Sequence, residues 1–181
     1  MKPHLLVLVA AFLALPALAD APMTPYAGQQ TRQIKALSDD DVAALLKGDG
    51  MGFAKAAELN GYPGPKHVLD LGERLSLTTE QHRQIQAIFD KMSAAAKPLG
   101  AELVDRERTL DQLFQKGEIT PDRLAAETAA IGDLQGRLRD VHLSAHLETR
   151  ALLTSTQIAL YEQLRGYGDP DAPMMEHHHH G

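Results

Sequence analysis

Two long stretches of this chain repeat apolar residues every three or four positions, and only a short Gly/Thr/Pro break separates them. From Thr79 to about Lys116 the stripe runs through Ile85, Ile88, Phe89, Met92, Leu99, Leu103, Leu110 and Phe114. From Pro121 it runs through Leu124, Ile131, Leu134, Leu138, Val141, Ala145 and Leu152. This spacing is that of one face of an α-helix. At 1.5 Å per residue the first helix would be roughly 55 Å long. Gly117 ends it, and Thr120-Pro121 opens the next with an N-cap and a proline at the first helical position. Two long amphipathic helices with so short a connection form an antiparallel hairpin. Pro98 and Gly100 lie inside the first helix and predict a kink.

Two near-identical boxes flank the hairpin, Leu77-Thr78-Thr79-Glu80-Gln81 and Leu153-Thr154-Ser155-Thr156-Gln157. Thr78 and Thr154 stand where an N-cap hydroxyl accepts a backbone N–H. Gln81 and Gln157, three residues on, reach back to the cap. Leu77 and Leu153 precede the caps, where a hydrophobic staple packs. Ser38-Asp39-Asp40-Asp41 is a further cap, with acids at the positive helix end, and predicts a helix through Lys47 stopped by Gly48. Met51–Asn60 reads as another short helix. Pro65 opens one more that runs to about Leu75. The second box starts a last helix over Ser155 to about Arg165.

Good helix formers dominate the composition, and strand-like alternation is nearly absent. The expected class is all-α, with a single helical domain over residues 38–166 between an arm (20–37) and a tail (167–181). Residues 1–19 read as a signal peptide, with Lys2, an apolar run from Leu5 to Leu15 and the cleavage pattern Ala17-Leu18-Ala19. No other segment is apolar enough to span a bilayer. No cysteine is present, so neither a disulfide nor a lipid anchor on Cys is available. The expected location is the periplasm, with no membrane insertion after cleavage. The formal charge is −6, acids and bases are interleaved, and no basic stripe suggests nucleic acid.

His142 and His146 carry the sharpest chemical signal. An i, i+4 pair sets two imidazoles one turn apart on one side of a helix, a spacing that chelates a divalent transition metal. Projection places them on the flank of the apolar stripe. With the hairpin turning near Lys116–Ile119, they face about Asp90 to Met92. A Met92 thioether would favour copper(I), and an Asp90 carboxylate zinc, nickel or cobalt. Two half-exposed histidines beside an apolar stripe are the alternative. The tail, Met174-Met175-Glu176-His177-His178-His179-His180, is a second metal-binding segment by composition. His67 and His82 read as surface or helix-end residues. No nucleophile–base constellation, H-E-x-x-H or phosphate-binding glycine loop is present, so an enzyme is not expected. Leu143 and Leu147 form a second apolar face, to be covered by a second subunit or by the short N-terminal helices.

The two L-T-x-x-Q boxes around a long hairpin, in an all-helical chain with a signal peptide, resemble the Spy/CpxP family, which includes ZraP-like and CnrX-like periplasmic metal sensors. The resemblance covers about Leu69 to Arg165. Residues 26–65 look like the N-terminal part of periplasmic heavy-metal sensors. The resemblance implies a curved helical homodimer that acts either as a metal sensor or buffer under envelope stress, or as an ATP-independent chaperone for unfolded polypeptides. A membrane-bound sensor protein is a further possible partner. CnrX-like members take ligands from a His and a Met one turn apart; here the position four after His142 is His146.

Overall fold

The computed structural model describes residues 24–167. The expected signal peptide, the first residues of the arm and the Met/His-rich tail with His177, His178, His179 and His180 lie outside the described residues. Residues up to Thr31 and residues from Arg32 onward form separate compact units. In the first, a turn closes from the Ala27 N–H to the Thr24 carbonyl (2.9 Å) and leads into a single 3-10 turn, Gln29–Thr31. The second unit holds the helices: α1 (Asp39–Lys47), α2 (Lys55–Glu58), α3 (Pro65–Asp70), α4 (Thr79–Gln115), α5 (Pro121–Leu152) and α6 (Ser155–Arg165). No strand occurs among the described residues, where β-type pairing is limited to an isolated bridge between Ile34 and Leu37. The fold is all-α, as the sequence predicts. No helix among the described residues is long and apolar enough to cross a membrane.

α4 and α5 form the antiparallel hairpin. Lys91–Glu148 and Arg106–Glu127 ion pairs bridge it at two levels. One core, built on Leu99, Leu103, Val104, Ile131, Leu134 and Leu138, is closed by Leu45 of α1 and by Ile34. Ile34 is 2% exposed, so the packed chain begins before the Ser38 cap that the sequence suggests as its start. A second core at the base joins Val68, Leu75, Ile85 and Tyr161. Towards the turn, the Lys35 N–H reaches Asp111 Oδ1 of α4 at 3.2 Å. Beyond that level Phe114 and Leu124, members of the predicted stripes, are exposed.

Two local expectations change. The helix expected over Met51–Asn60 shrinks to Lys55–Glu58, because Met51 and Gly52 turn the chain at φ 42° and 81°. The helix from Pro65 ends at Asp70 rather than near Leu75, and the chain turns through Ser76 at φ 49° into the Thr78 cap. α4 runs unbroken through Pro98, which lies exposed. Gly100 serves close approach: a Cβ there would stand 2.1 Å from the Leu45 carbonyl oxygen, so α1 crosses α4 backbone against backbone.

Candidate metal centre

An antiparallel hairpin brings its two ends together, and the two boxes therefore meet. Each threonine hydroxyl accepts the N–H of its glutamine, at 3.1 Å for Thr78 and 3.2 Å for Thr154. Each glutamine Oε1 accepts the threonine N–H in return, both at 3.0 Å. The remaining amide hydrogens tie the boxes to each other. Gln81 Nε2 donates to Gln157 Oε1 (2.9 Å) and to the Leu152 carbonyl (2.8 Å). Gln157 Nε2 donates to Gln81 Oε1 (3.1 Å) and to the Leu75 carbonyl (3.2 Å). Every donor of both amides is used. Sequence reading finds each cap but not the clasp between them, because only the hairpin register makes them neighbours.

Above this clasp, four parts of the chain enclose a cavity of about 130 Å³. α5 contributes His142 and His146, α4 contributes Phe89, Met92 and Ser93, and the loops before α2 and α3 contribute Gly48–Gly50 and Gly64; His67 enters from α3. The two α5 histidines are 3% and 8% exposed. That corrects the expected flank position. The α5 face continuing the apolar stripe is polar here, with His142, His146 and Thr149, and the N-terminal loops bury it.

The two rings are held differently. His146 Nδ1 stands 2.7 Å from the Tyr62 carbonyl. A carbonyl only accepts, so Nδ1 carries a proton, and in the neutral ring the lone pair lies on Nε2. Gly64 packs against that edge of the ring: a Cβ there would lie 2.8 Å from Nε2. His142 stacks on Phe53, with centroids 6.3 Å apart and planes at 12°. Its Nε2 is buried and has no hydrogen-bond partner. Burial pushes the His142 pKa down, the neighbouring His146 pushes the same way, and Asp49 opposes both. A neutral imidazole with an unmet nitrogen is the form that ligates transition metals.

Of the residues expected to complete a site, Met92 lines the cavity and Asp90 does not. Asp90 is exposed on α4 and accepts from Gln86 Nε2 at 2.9 Å. His67, set aside in the sequence as a helix-end residue, does line the cavity, and burial lowers its pKa. Its signal was Pro65: with proline at the first helical position, His67 falls in the first turn of a helix docked on the hairpin. Among the described residues no three His, Cys, Asp or Glu side chains stand together as a ready-made cage. The donors lining the cavity are the imidazoles of His67, His142 and His146, the Met92 thioether and the Asp49 carboxylate, a nitrogen-rich set suited to borderline transition cations more than to calcium or magnesium, which take shells of oxygen.

A family model described as heavy-metal resistance matches residues 51–159, more than half of the chain, and covers the cavity loops from Met51 on, His142, His146 and both boxes. No curated protein and no solved structure matches the chain. The chain belongs to the heavy-metal resistance family, within the Spy/CpxP-like group of L-T-x-x-Q proteins.

Proposed function

We infer that this protein is a periplasmic heavy-metal sensor or buffer that holds one transition-metal ion in the cavity between α3, α4 and α5. Family membership supports a metal role, and members of the family are typically periplasmic. The observation that carries the reading is the unpartnered, buried Nε2 of His142 beside a His146 whose tautomer is set by Tyr62. A buried nitrogen without a partner costs about 1–3 kcal/mol, and an ion is one of the occupants that removes such a cost. His142 and His146 would supply imidazole nitrogens, with the Met92 thioether and the Asp49 carboxylate in the same cavity wall, a mixed set that suits borderline divalent cations such as Co²⁺, Ni²⁺ and Zn²⁺ as well as copper. His142 is already held neutral, so ligation there requires little proton release. The tail histidines His177–His180 would add a second metal-binding segment by composition.

The test is calorimetric titration of the full chain with His177–His180 replaced by alanine, using Cu(I), Zn²⁺, Ni²⁺ and Co²⁺. Saturable binding near one ion per chain, lost on His142→Ala/His146→Ala, is expected. No binding by the tail-substituted protein would sink the cavity reading.

A second reading is an ATP-independent chaperone. A groove of about 280 Å³ between α4 and α5, lined by Ile88, Met92, Ala95, Val141 and Ala145, supports it, with the Lys91–Glu148 pair (2.9 Å) on its rim. That activity would delay aggregation of an unrelated denatured protein without metal. In either role we infer a homodimer, supported by the exposure of Leu147, Phe114 and Leu124, and no catalytic or nucleic-acid-binding activity.

A further inference from the structure

Glu58 ends the four-residue helix α2, yet its carboxylate is only 12% exposed. A carboxylate that far from water needs donors and counter-charge, and Glu58 draws them from three elements. At the start of α3, the Gly64 N–H donates to Oε2 at 3.2 Å. From α6, the Tyr161 hydroxyl donates to Oε1 at 2.5 Å and Arg165 Nε stands 3.4 Å from the same oxygen. From α5, His146 Nδ1 lies 3.7 Å from Oε2. The Nδ1–H that bonds the Tyr62 carbonyl thus also faces a carboxylate. Tyr161 is 1% exposed and belongs to the core at the base of the hairpin.

We propose that Glu58 is a positioning residue for the cavity: it steadies the outer edge of the His146 imidazole and ties it to α6, so that filling the cavity is felt in the C-terminal helix. This rests on the metal-site reading above. Metal-ligating histidines donate their other ring N–H to a carbonyl or carboxylate, which orients the ring and raises its basicity. The pair Tyr62 and Glu58 stands in that place. A cation held by Nε2 would polarise the ring and strengthen the attraction between the Nδ1–H and Glu58. The cluster has slack to close, since 3.4 Å and 3.7 Å exceed the roughly 2.7–2.9 Å of a charge-assisted hydrogen bond, and Arg165 Nε is buried with no hydrogen-bond partner. Linkage makes the effect reciprocal: whatever binding at His146 does to the α6 contacts, those contacts do to binding.

Two variants test this in the full chain with His177–His180 replaced by alanine, with Co²⁺ as probe. Glu58→Gln keeps the shape and removes the charge. Tyr161→Phe with Arg165→Gln cuts the links from α6 while leaving Glu58 in place. Visible absorption of Co²⁺ gives affinity, and amide hydrogen exchange gives protection along α6. In the parent, Co²⁺ should slow exchange in α6. Glu58→Gln should weaken Co²⁺ binding about tenfold, the low end for loss of an outer-shell partner. The double variant should retain helix content by circular dichroism and lose the Co²⁺-dependent slowing in α6. The inference is overturned by Glu58→Gln affinity within twofold of the parent, or by undiminished α6 slowing in the double variant. A parent that binds no Co²⁺ would overturn the metal-site reading, and this inference with it.

Discussion

Gly64 and His146 compete for the same few ångströms. A methyl at residue 64 would sit 2.8 Å from both Cε1 and Nε2 of the ring, so Gly64→Ala must displace the imidazole from its Tyr62 bond. Overpacking of this kind costs about 1–3 kcal/mol. A thermal melt should show that loss, and Co²⁺ binding should weaken at least as much as in Glu58→Gln. At the start of α1, the Ser38 hydroxyl and N–H both bond the Asp41 carboxylate (2.6 and 2.9 Å) and hold its pKa below the ordinary range. A carboxyl with a depressed folded-state pKa stabilises the fold above its unfolded value, and that contribution fades as pH falls through the folded value. Ser38→Ala should cost about 1 kcal/mol near neutral pH. The gap between the two proteins' melts should narrow below about pH 4, near the unperturbed carboxyl value; a gap that widens in acid would refute the assignment.

At the scale of elements, two contacts set the architecture. The first is the crossing of α1 over α4 at Gly100. Alanine is the better helix former by about 1 kcal/mol, yet Gly100→Ala places a Cβ 2.1 Å from a carbonyl oxygen of α1. Backbone cannot yield as a side-chain tip does, so a net loss of about 3 kcal/mol is expected in urea unfolding. The second is the glutamine clasp. Gln81→Ala and Gln157→Ala each break one capping box and the shared amide pair. A double-mutant cycle should therefore give a coupling of about 1 kcal/mol or more, and additive effects would mean the two boxes act alone. The caps of α1, α4, α5 and α6 were all legible in sequence, because each is completed within three residues. The lengths of α2 and α3 were not. Met51 and Ser76 adopt positive φ, a conformation their residue types do not announce.

For the whole molecule, an ion that binds only the folded state should raise its stability by about 2.7 kcal/mol at a hundredfold excess over Kd. Differential scanning calorimetry of the tail-substituted protein with and without Cu(I) or Zn²⁺ measures this. The hairpin tip beyond Asp111 leaves Phe114 56% and Leu147, nearer the base, 58% exposed. Sedimentation equilibrium should give a dimer, and a monomer at every concentration would sink that proposal. Met92 lines both the cavity and the groove between α4 and α5, so the same measurements made with a denatured client present would show whether the two surfaces work together.

What the sequence by itself determined was local: helix starts and stops, the antiparallel hairpin, and the i, i+4 pairing of His142 with His146. These depend on hydrogen bonds and spacings within a few residues, which composition and order carry directly. The tertiary structure alone decided that the pair is buried, that His67 and Met92 share its cavity while Asp90 faces away, and that Glu58 stands behind His146. Those facts rest on contacts such as His146 with Tyr62, 84 residues apart, and Gln81 with Gln157, 76 apart. Over such separations a side chain's surroundings are set by which loops fold over it, and no periodicity in the chain encodes that.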